Sequence, residues 1–299
     1  MRSRIARTFI VFATMCAMTC ATAGVAYAGN PWLDRVRAFE PGTSSGFGAD
    51  QLPAVVRHKP EGFGLNQGST DVVSLGNNGR ITVSFDNNAC VDGEGDDLVI
   101  FENPFLSGSL VFAELAFVEV SADGKQWFAF PYDTESGDGL AGRAPVLANS
   151  DNGLDPLDPA SGGDRFDLAD VGLEFVRFVR ITDAGEQIDD PGNHAFAGTK
   201  GGFDLDAAGA IHSTDLGCIS GTVSSEGEAV AGARVVLKAG GEPSRRRVSL
   251  SNGAWSFCRL RPGLDYEVRS EVSGVGSAVG HAYIDADQLR VHIDRKSVV

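Results

Sequence analysis

RITVSFDNNACVDGEGDDLVIFEN, residues 80–103, holds two kinds of strand with an acidic turn between them. At its start Ile81, Val83 and Phe85 alternate with Arg80, Thr82 and Ser84. That period of two predicts a strand with one buried face. Near its end Leu98-Val99-Ile100-Phe101 is apolar without interruption, which predicts a strand inside the core. Five carboxylates crowd around that strand: Asp92, Glu94, Asp96, Asp97 and Glu102. Like charges so close need water, protons or a cation between them. The stretch therefore separates into a Gly-containing acidic turn, 92–97, and a buried strand, 98–101. The question it poses is whether the turn faces an ion or only solvent.

The same grammar extends outward. Phe117-Val-Glu-Val-Ser121, Trp127–Phe130 and Phe175-Val-Arg-Phe-Val-Arg-Ile181 are short strand patterns bounded by turn residues. Asp123-Gly124 predicts a tight hairpin turn before Trp127. Helical periodicity is nearly absent, apart from a short helix expected at Asp167–Val171. Many short strands with regular turn signals make an all-β sandwich. Residues 133–165 break the pattern: they are rich in Gly, Asp, Pro and Ser and carry no strand signal. A loop of that length is expected to be functional, ion-stabilised or disordered. From 217 onward seven strands are predicted, at Ile219–Val223, Ala233–Lys238, Arg247–Leu250, Ala254–Cys258, Tyr266–Glu271, His281–Ile284 and Leu289–Ile293. They form a second, smaller Greek-key-like sandwich.

Residues 1–28 read as a secretory signal peptide: a basic start at Arg2, Arg4 and Arg7, an apolar middle, and Ala26-Tyr27-Ala28 at the cleavage position. The mature chain is expected to carry no transmembrane segment and to be secreted, periplasmic or on the cell surface. Between 29 and 216 there are 31 Asp/Glu against 11 Lys/Arg, a balance of −20; from 217 to 299 there are 9 against 11, a balance of +2. The step marks a domain boundary, giving domains 29–216 and 217–299. The acidic excess also argues against nucleic acid as a partner, since phosphate binding needs basic surface.

Several constellations bear on chemistry. Calcium takes six to eight oxygens from flexible loops. Asp86, Asp92, Asp96 and Asp97 flank two consecutive strands, and Asp204 and Asp206 alternate so that both point to one face, with Phe203 and Leu205 on the other. These six are the candidate calcium ligands, and a solvated acidic rim is the competing reading. The turn is not an EF-hand, because Asp97 stands where that loop requires Gly. Asp151–Asp158 suits either a second ion-organised loop or a plain turn cluster. Gly42-Thr-Ser44-Ser-Gly46 matches the nucleophile-elbow spacing but lacks the strand and helix that motif requires. The five histidines are scattered and form no zinc-type pair. For a sugar ligand, Phe105 and Tyr132 offer aromatic faces, with Asn103 and Arg143 as polar partners; Trp32 is a further aromatic, and Trp127 is read as core packing. Cys218 and Cys258 fall on the strand faces opposite the core residues, which predicts a disulfide between them; a Cys90–Cys218 bridge is the rival.

Three segments of the first domain form a set: Ser74-Leu-Gly-Asn-Asn-Gly-Arg-Ile81, Val91–Phe105 and Gly202-Phe-Asp-Leu-Asp-Ala207. Their order resembles a family of exported bacterial cell-surface proteins. The resemblance implies a jelly-roll sandwich like the galactose-binding and discoidin-type modules, which often carry a structural calcium and bind glycans through loops at one end. The second domain resembles carboxypeptidase-regulatory-like, or transthyretin-like, modules through Gly221-Thr-Val223, Val230–Leu237, Ser251–Phe257 and Leu260–Gly263. Such modules are non-catalytic spacers or stabilisers. The expected function is a non-catalytic binding module for glycan or extracellular matrix. The alternatives are an accessory structural protein of the envelope and a hydrolase.

Overall fold

The structure is a computed structural model that describes residues 11–12, 30–108, 110–188, 201–225, 227–240 and 244–284. The chain divides into two compact units, with the step at Thr214/Asp215. Both are built from antiparallel strands, and among the described residues the helical content is confined to short 3₁₀ turns.

In the first unit the largest sheet has the order Phe128–Ala129, Ala116–Ser121, Phe178–Asp183, Arg80–Ser84, Arg35–Glu40. Its neighbours are mostly remote in the chain. Ile81, Val83, Val118, Val120, Val179 and Ile181 line its inner face. A second sheet has Leu98–Phe101 at its centre, between Asp164–Phe166 and Ala207–Ala210. Leu98, Ile100, Ala208 and Ala210 enter the same core. The first unit is thus an all-β sandwich closed between two sheets.

The unbroken run Leu98–Phe101 is explained by its other face. Val99 and Phe101 pack with Val146 and Ala207, against Trp32 and Leu157. The strand is covered on both sides, so no position on it tolerates a polar residue. Two glycines make the cover close enough. A Cβ at Gly163 would lie 2.6 Å from the Phe101 ring, and one at Gly209 would lie 2.6 Å from the Trp32 ring. The long segment 133–165 therefore has a structural task. It brings Val146 and Leu157 over the sheet and ends as the edge strand Asp164–Phe166. Its polar side chains organise their own turns: Asn152, Asp155 and Asp158 accept from the backbone N–H groups of Leu154, Leu157 and Ala160.

Most predicted strands appear within a residue or two. The Asp123-Gly124 hairpin forms, with Phe128 opposite Val120 and Gly124 at φ 74°. The Asp167–Val171 helix is a 3₁₀ turn, Leu168–Val171, capped by the Asp167 side chain. The predicted single strand 175–181 is two: Phe175–Val176 pairs with Asn88–Val91, and Phe178–Asp183 joins the large sheet. Arg177 is the break, its backbone bonding Ser121 and Phe85.

The second unit has a four-stranded sheet, Arg245–Val248, Arg234–Ala239, Asp265–Val272 and Gly276–Tyr283, and a pair, Gly217–Thr222 with Ala254–Leu260. Ile219, Val235, Leu237, Trp255, Phe257, Tyr266 and Val268 form its core. A short hairpin joins Ser224–Ser225 to Glu228–Ala229. The strand expected at Leu289–Ile293 lies outside the described residues. Cys218 and Cys258 face each other across the strand pair and are joined, while Cys90 is a buried free thiol whose Sγ donates to the Asp97 carbonyl. The bridge closes a loop of 40 residues. Its loss in a Cys218→Ser/Cys258→Ser variant should cost roughly 3–4 kcal/mol. Urea titration of this variant should show the unfolding midpoint of the second unit moving down. An unchanged midpoint would mean the strand pair holds without the bridge.

Candidate metal centre

The six sequence-predicted ligands do not converge. The register places Ala210 opposite Leu98 and Ala207 opposite Phe101. Asp97 therefore lies at one end of the central strand, and Asp204 and Asp206 lie at the other, beside Glu102. Five strand steps separate Asp97 from Glu102, about 17 Å. An ion shared between the 92–97 turn and Asp204 or Asp206 is excluded by that distance.

Each predicted ligand has its own surroundings. Asp86 is buried and meets three guanidiniums, those of Arg35 at 2.6 Å, Arg37, and Arg177 at 3.7 Å. Its charge is already balanced, and a cation would have to displace arginines. Arg37 is the unpaired residue where the register of this strand shifts between Val36 and Ala38, and both it and Arg35 reach Asp86. Asp92 and Asp96 are exposed. Asp97 is fully buried and works as a staple. Its Oδ1 accepts from the Gly93 N–H at 2.7 Å and lies 2.7 Å from His212 Nδ1, and its Oδ2 accepts from the Leu168 N–H at 2.8 Å. Asp97 thereby fixes the acidic turn to the 3₁₀ turn and to the strand end. Asp92, Asp97 and Asp167 bring one oxygen each within 4.8 Å of one another, but Asp97 has backbone or imidazole partners on both of its oxygens. Asp206 is buried and accepts from the Glu61 N–H at 3.1 Å. Burial pushes its carboxyl well above the usual range.

A second set of carboxylates contains one predicted ligand, Asp204, and two acids that were not among the predicted ligands. Glu102, Glu114 and Asp204 bring oxygens within 4.8 Å of one another. Glu102 and Glu114 are 1% and 3% exposed, so the set sits inside the fold. One Glu114 oxygen accepts from the Gly202 N–H at 2.7 Å. Neither oxygen of Glu102 has a hydrogen-bond partner, and nor does Oδ1 of Asp204. Desolvation raises the Glu102 carboxyl well above its ordinary value, and the charges of Asp204 and Glu114 push it further, opposed by the nearby backbone N–H groups of Asn103 and Asp204. Burial likewise brings Asp204 from 3.8 to about 6, opposed by the Ser74 hydroxyl and raised again by Asp183. Two orphaned oxygens on a fully buried acid are costly unless a proton or a cation serves them.

Among the candidate sugar contacts, Asn103 spends its amide on the Ser69 carbonyl at 2.8 Å, and Phe105 stacks on Phe112 at 5.1 Å between ring centroids. Trp127 lies under the Arg180 guanidinium, 3.7 Å from the ring centroid, and Trp32 packs on Phe101. Tyr132 and Arg143 are the ones left accessible. Tyr132 tilts against Phe117 and remains 48% exposed. Arg143 pairs with exposed Asp138 and lines a cavity of about 270 Å³ floored by Val111, Ala113, Leu115 and Ile188.

Two other acids organise loops and carried no sequence signal beyond a polar residue at a strand end. Asp183 accepts from the N–H groups of Asn78, Gly185 and Phe203. Asp164 accepts from Gly142 at 2.7 Å and Arg143 at 2.9 Å, which shapes the rim of the cavity. Burial outweighs these bonds and raises Asp164 from 3.8 to about 6. A raised carboxyl binds more protons folded than unfolded, so its contribution is full below about pH 4 and is lost as pH rises through about 6. Thermal melts between pH 3.5 and 7 should show a shallower fall for Asp164→Asn, whose amide oxygen still accepts; parallel profiles would refute the assignment. At the other turn, Asp97→Ala orphans buried donors and should cost about 3–5 kcal/mol, against under about 0.5 kcal/mol for exposed Asp96→Ala. Equal costs in urea denaturation would remove the staple. Compared with protein-family models and with curated proteins, the chain matches none.

Proposed function

We propose that the protein is a non-catalytic, exported binding module, its first sandwich stabilised by calcium, that recognises a glycan or matrix component at the cell surface. The observation that carries this reading is the cavity of about 270 Å³ lined by Thr134 and Arg143. An apolar floor with a few polar groups at the rim suits a ligand that has both apolar and hydroxyl-bearing faces. Arg143 and Thr134 supply donors at that rim, and the exposed Tyr132 ring stands on the adjoining loop. The Arg143–Asp138 pair is exposed, and such pairs hold a guanidinium only weakly. The resemblance to galactose-binding-type sandwiches points the same way.

Hydrolysis fits less well. Glycoside hydrolysis needs two carboxyl groups flanking a bound sugar. Among the described residues lining the cavity, Glu135 is the one carboxylate, and none of Glu102, Glu114 and Asp204 belongs to that lining. A structural role in the envelope is favoured by one feature: Asp97, Asp164, Asp183 and Asp206 all spend oxygens on their own backbone.

A glycan array probed in ~1 mM calcium separates these readings. Binding to a defined glycan class should appear with the wild type and fall about tenfold or more in Tyr132→Ala and Arg143→Ala, with melting temperatures unchanged. Silence across the array would transfer the assignment to the structural role.

A further inference from the structure

We infer that Glu102, Glu114 and Asp204 hold a hard divalent cation, calcium, inside the first sandwich. The inference deepens the calcium-stabilised reading above and rests on it, but it places the ion at the opposite end of the central strand from the acidic turn. Proximity of three acids would not suffice; the second observation is Glu102. It is 1% exposed, neither of its oxygens meets a donor in hydrogen-bond geometry, with only the Asn103 and Asp204 N–H groups nearby, and its oxygens lie within 4.8 Å of two other carboxylates. Oδ1 of Asp204 is also unpartnered. In the rival cluster, both Asp97 oxygens are taken.

The donor set identifies the ion class. All three donors are carboxylates, with the Asn103 and Ser74 side chains beside Asp204. No thiolate or imidazole belongs to the set, which disfavours zinc and copper. Three negative charges from irregularly placed side chains suit calcium's adaptable six- to eight-fold oxygen shell better than magnesium's strict octahedron. The ligands come from three segments. Glu102 follows the central strand, Glu114 follows the hairpin Phe105–Ser107/Leu110–Phe112, and Asp204 lies on the short strand paired with Val73–Ser74. An ion here would fasten the hairpin and the Gly201–Asp206 segment to the end of the central strand.

The test uses the purified full-length protein stripped by chelator, with calcium chloride or magnesium chloride as the probe. Titration calorimetry should report a calcium site with a dissociation constant on the order of 0.1 mM and weaker magnesium binding. At ~1 mM calcium the folded-to-unfolded ratio should rise about tenfold, read as a melting shift of about 3–5 °C. Glu102→Gln and Glu114→Gln should each abolish the shift, yet melt in chelator no lower than the wild type, because each removes like-charge repulsion in a buried site. A residue needed only for packing would not separate those two readouts. If one variant fails to fold, the other and the wild-type titration decide. A calcium shift that survives in both variants overturns this site while leaving a calcium-stabilised module in place. No calcium shift in the wild type overturns both the site and the calcium part of the functional reading, and the glycan array still judges the rest.

Discussion

Double-sided burial of Leu98–Phe101 is the constraint on which the first sandwich depends. Leu98 and Ile100 belong to the core between the sheets, and Val99 and Phe101 to the smaller cluster beneath Val146, Leu157 and Trp32. Burying four such side chains gains roughly 1.5–3 kcal/mol each, and no polar group can share the strand without losing its water. Acids close to this strand in sequence can therefore stand only at its ends. The long segment over Val99 and Phe101 follows from the same requirement, since an uncovered outer face would leave both exposed.

The two ends answer the charge problem in different ways. At the entry, Asp92, Glu94 and Asp96 face water, where their repulsion is screened. Asp97 is buried and is served by two backbone N–H groups and an imidazole. At the exit, Glu102 is as deeply buried as Asp97, but neither of its oxygens meets a donor in hydrogen-bond geometry; the Asn103 and Asp204 N–H groups only stand nearby, and two more acids crowd it. The difference is between a carboxylate that closes its own shell with protein donors and one whose shell is left to something small and positive. Asp86 gives a third solution, in which Arg35, Arg37 and Arg177 supply the opposite charge directly.

The strands were legible because their signals are local. Alternation in Arg80–Ser84, the Asp123-Gly124 turn and the parity of Cys218 and Cys258 each depend on a few neighbouring residues. The cover over Val99 and Phe101 was half legible: the uninterrupted apolar run required a second covering layer, but nothing in the Gly- and Asp-rich composition of 133–165 identified Val146 and Leu157 as that layer. The carboxylate set at Glu102 was not legible, because Glu114 and Asp204 are 90 residues apart in the chain and meet only through pairing of strands. Attention to acid density favoured the turn at 92–97, where most of the charge is solvated. The usable signal was weaker and lay three residues past Val99: a single acid directly after a strand with no exposed face has nowhere to go but inward.

That point also bears on how an acidic domain of balance −20 remains folded. Its carboxylates are not one field to be neutralised together. Several are consumed one at a time as acceptors for loop N–H groups, as Asp164 and Asp183 are, which converts charge into loop geometry. Others lie on the surface, where repulsion costs little in salt. Where Glu102, Glu114 and Asp204 meet, the repulsion becomes a local problem that the few backbone donors there do not solve. A cation there would be stabilising for the reason that makes the bare cluster costly, and it would tie together the segments that carry the three acids.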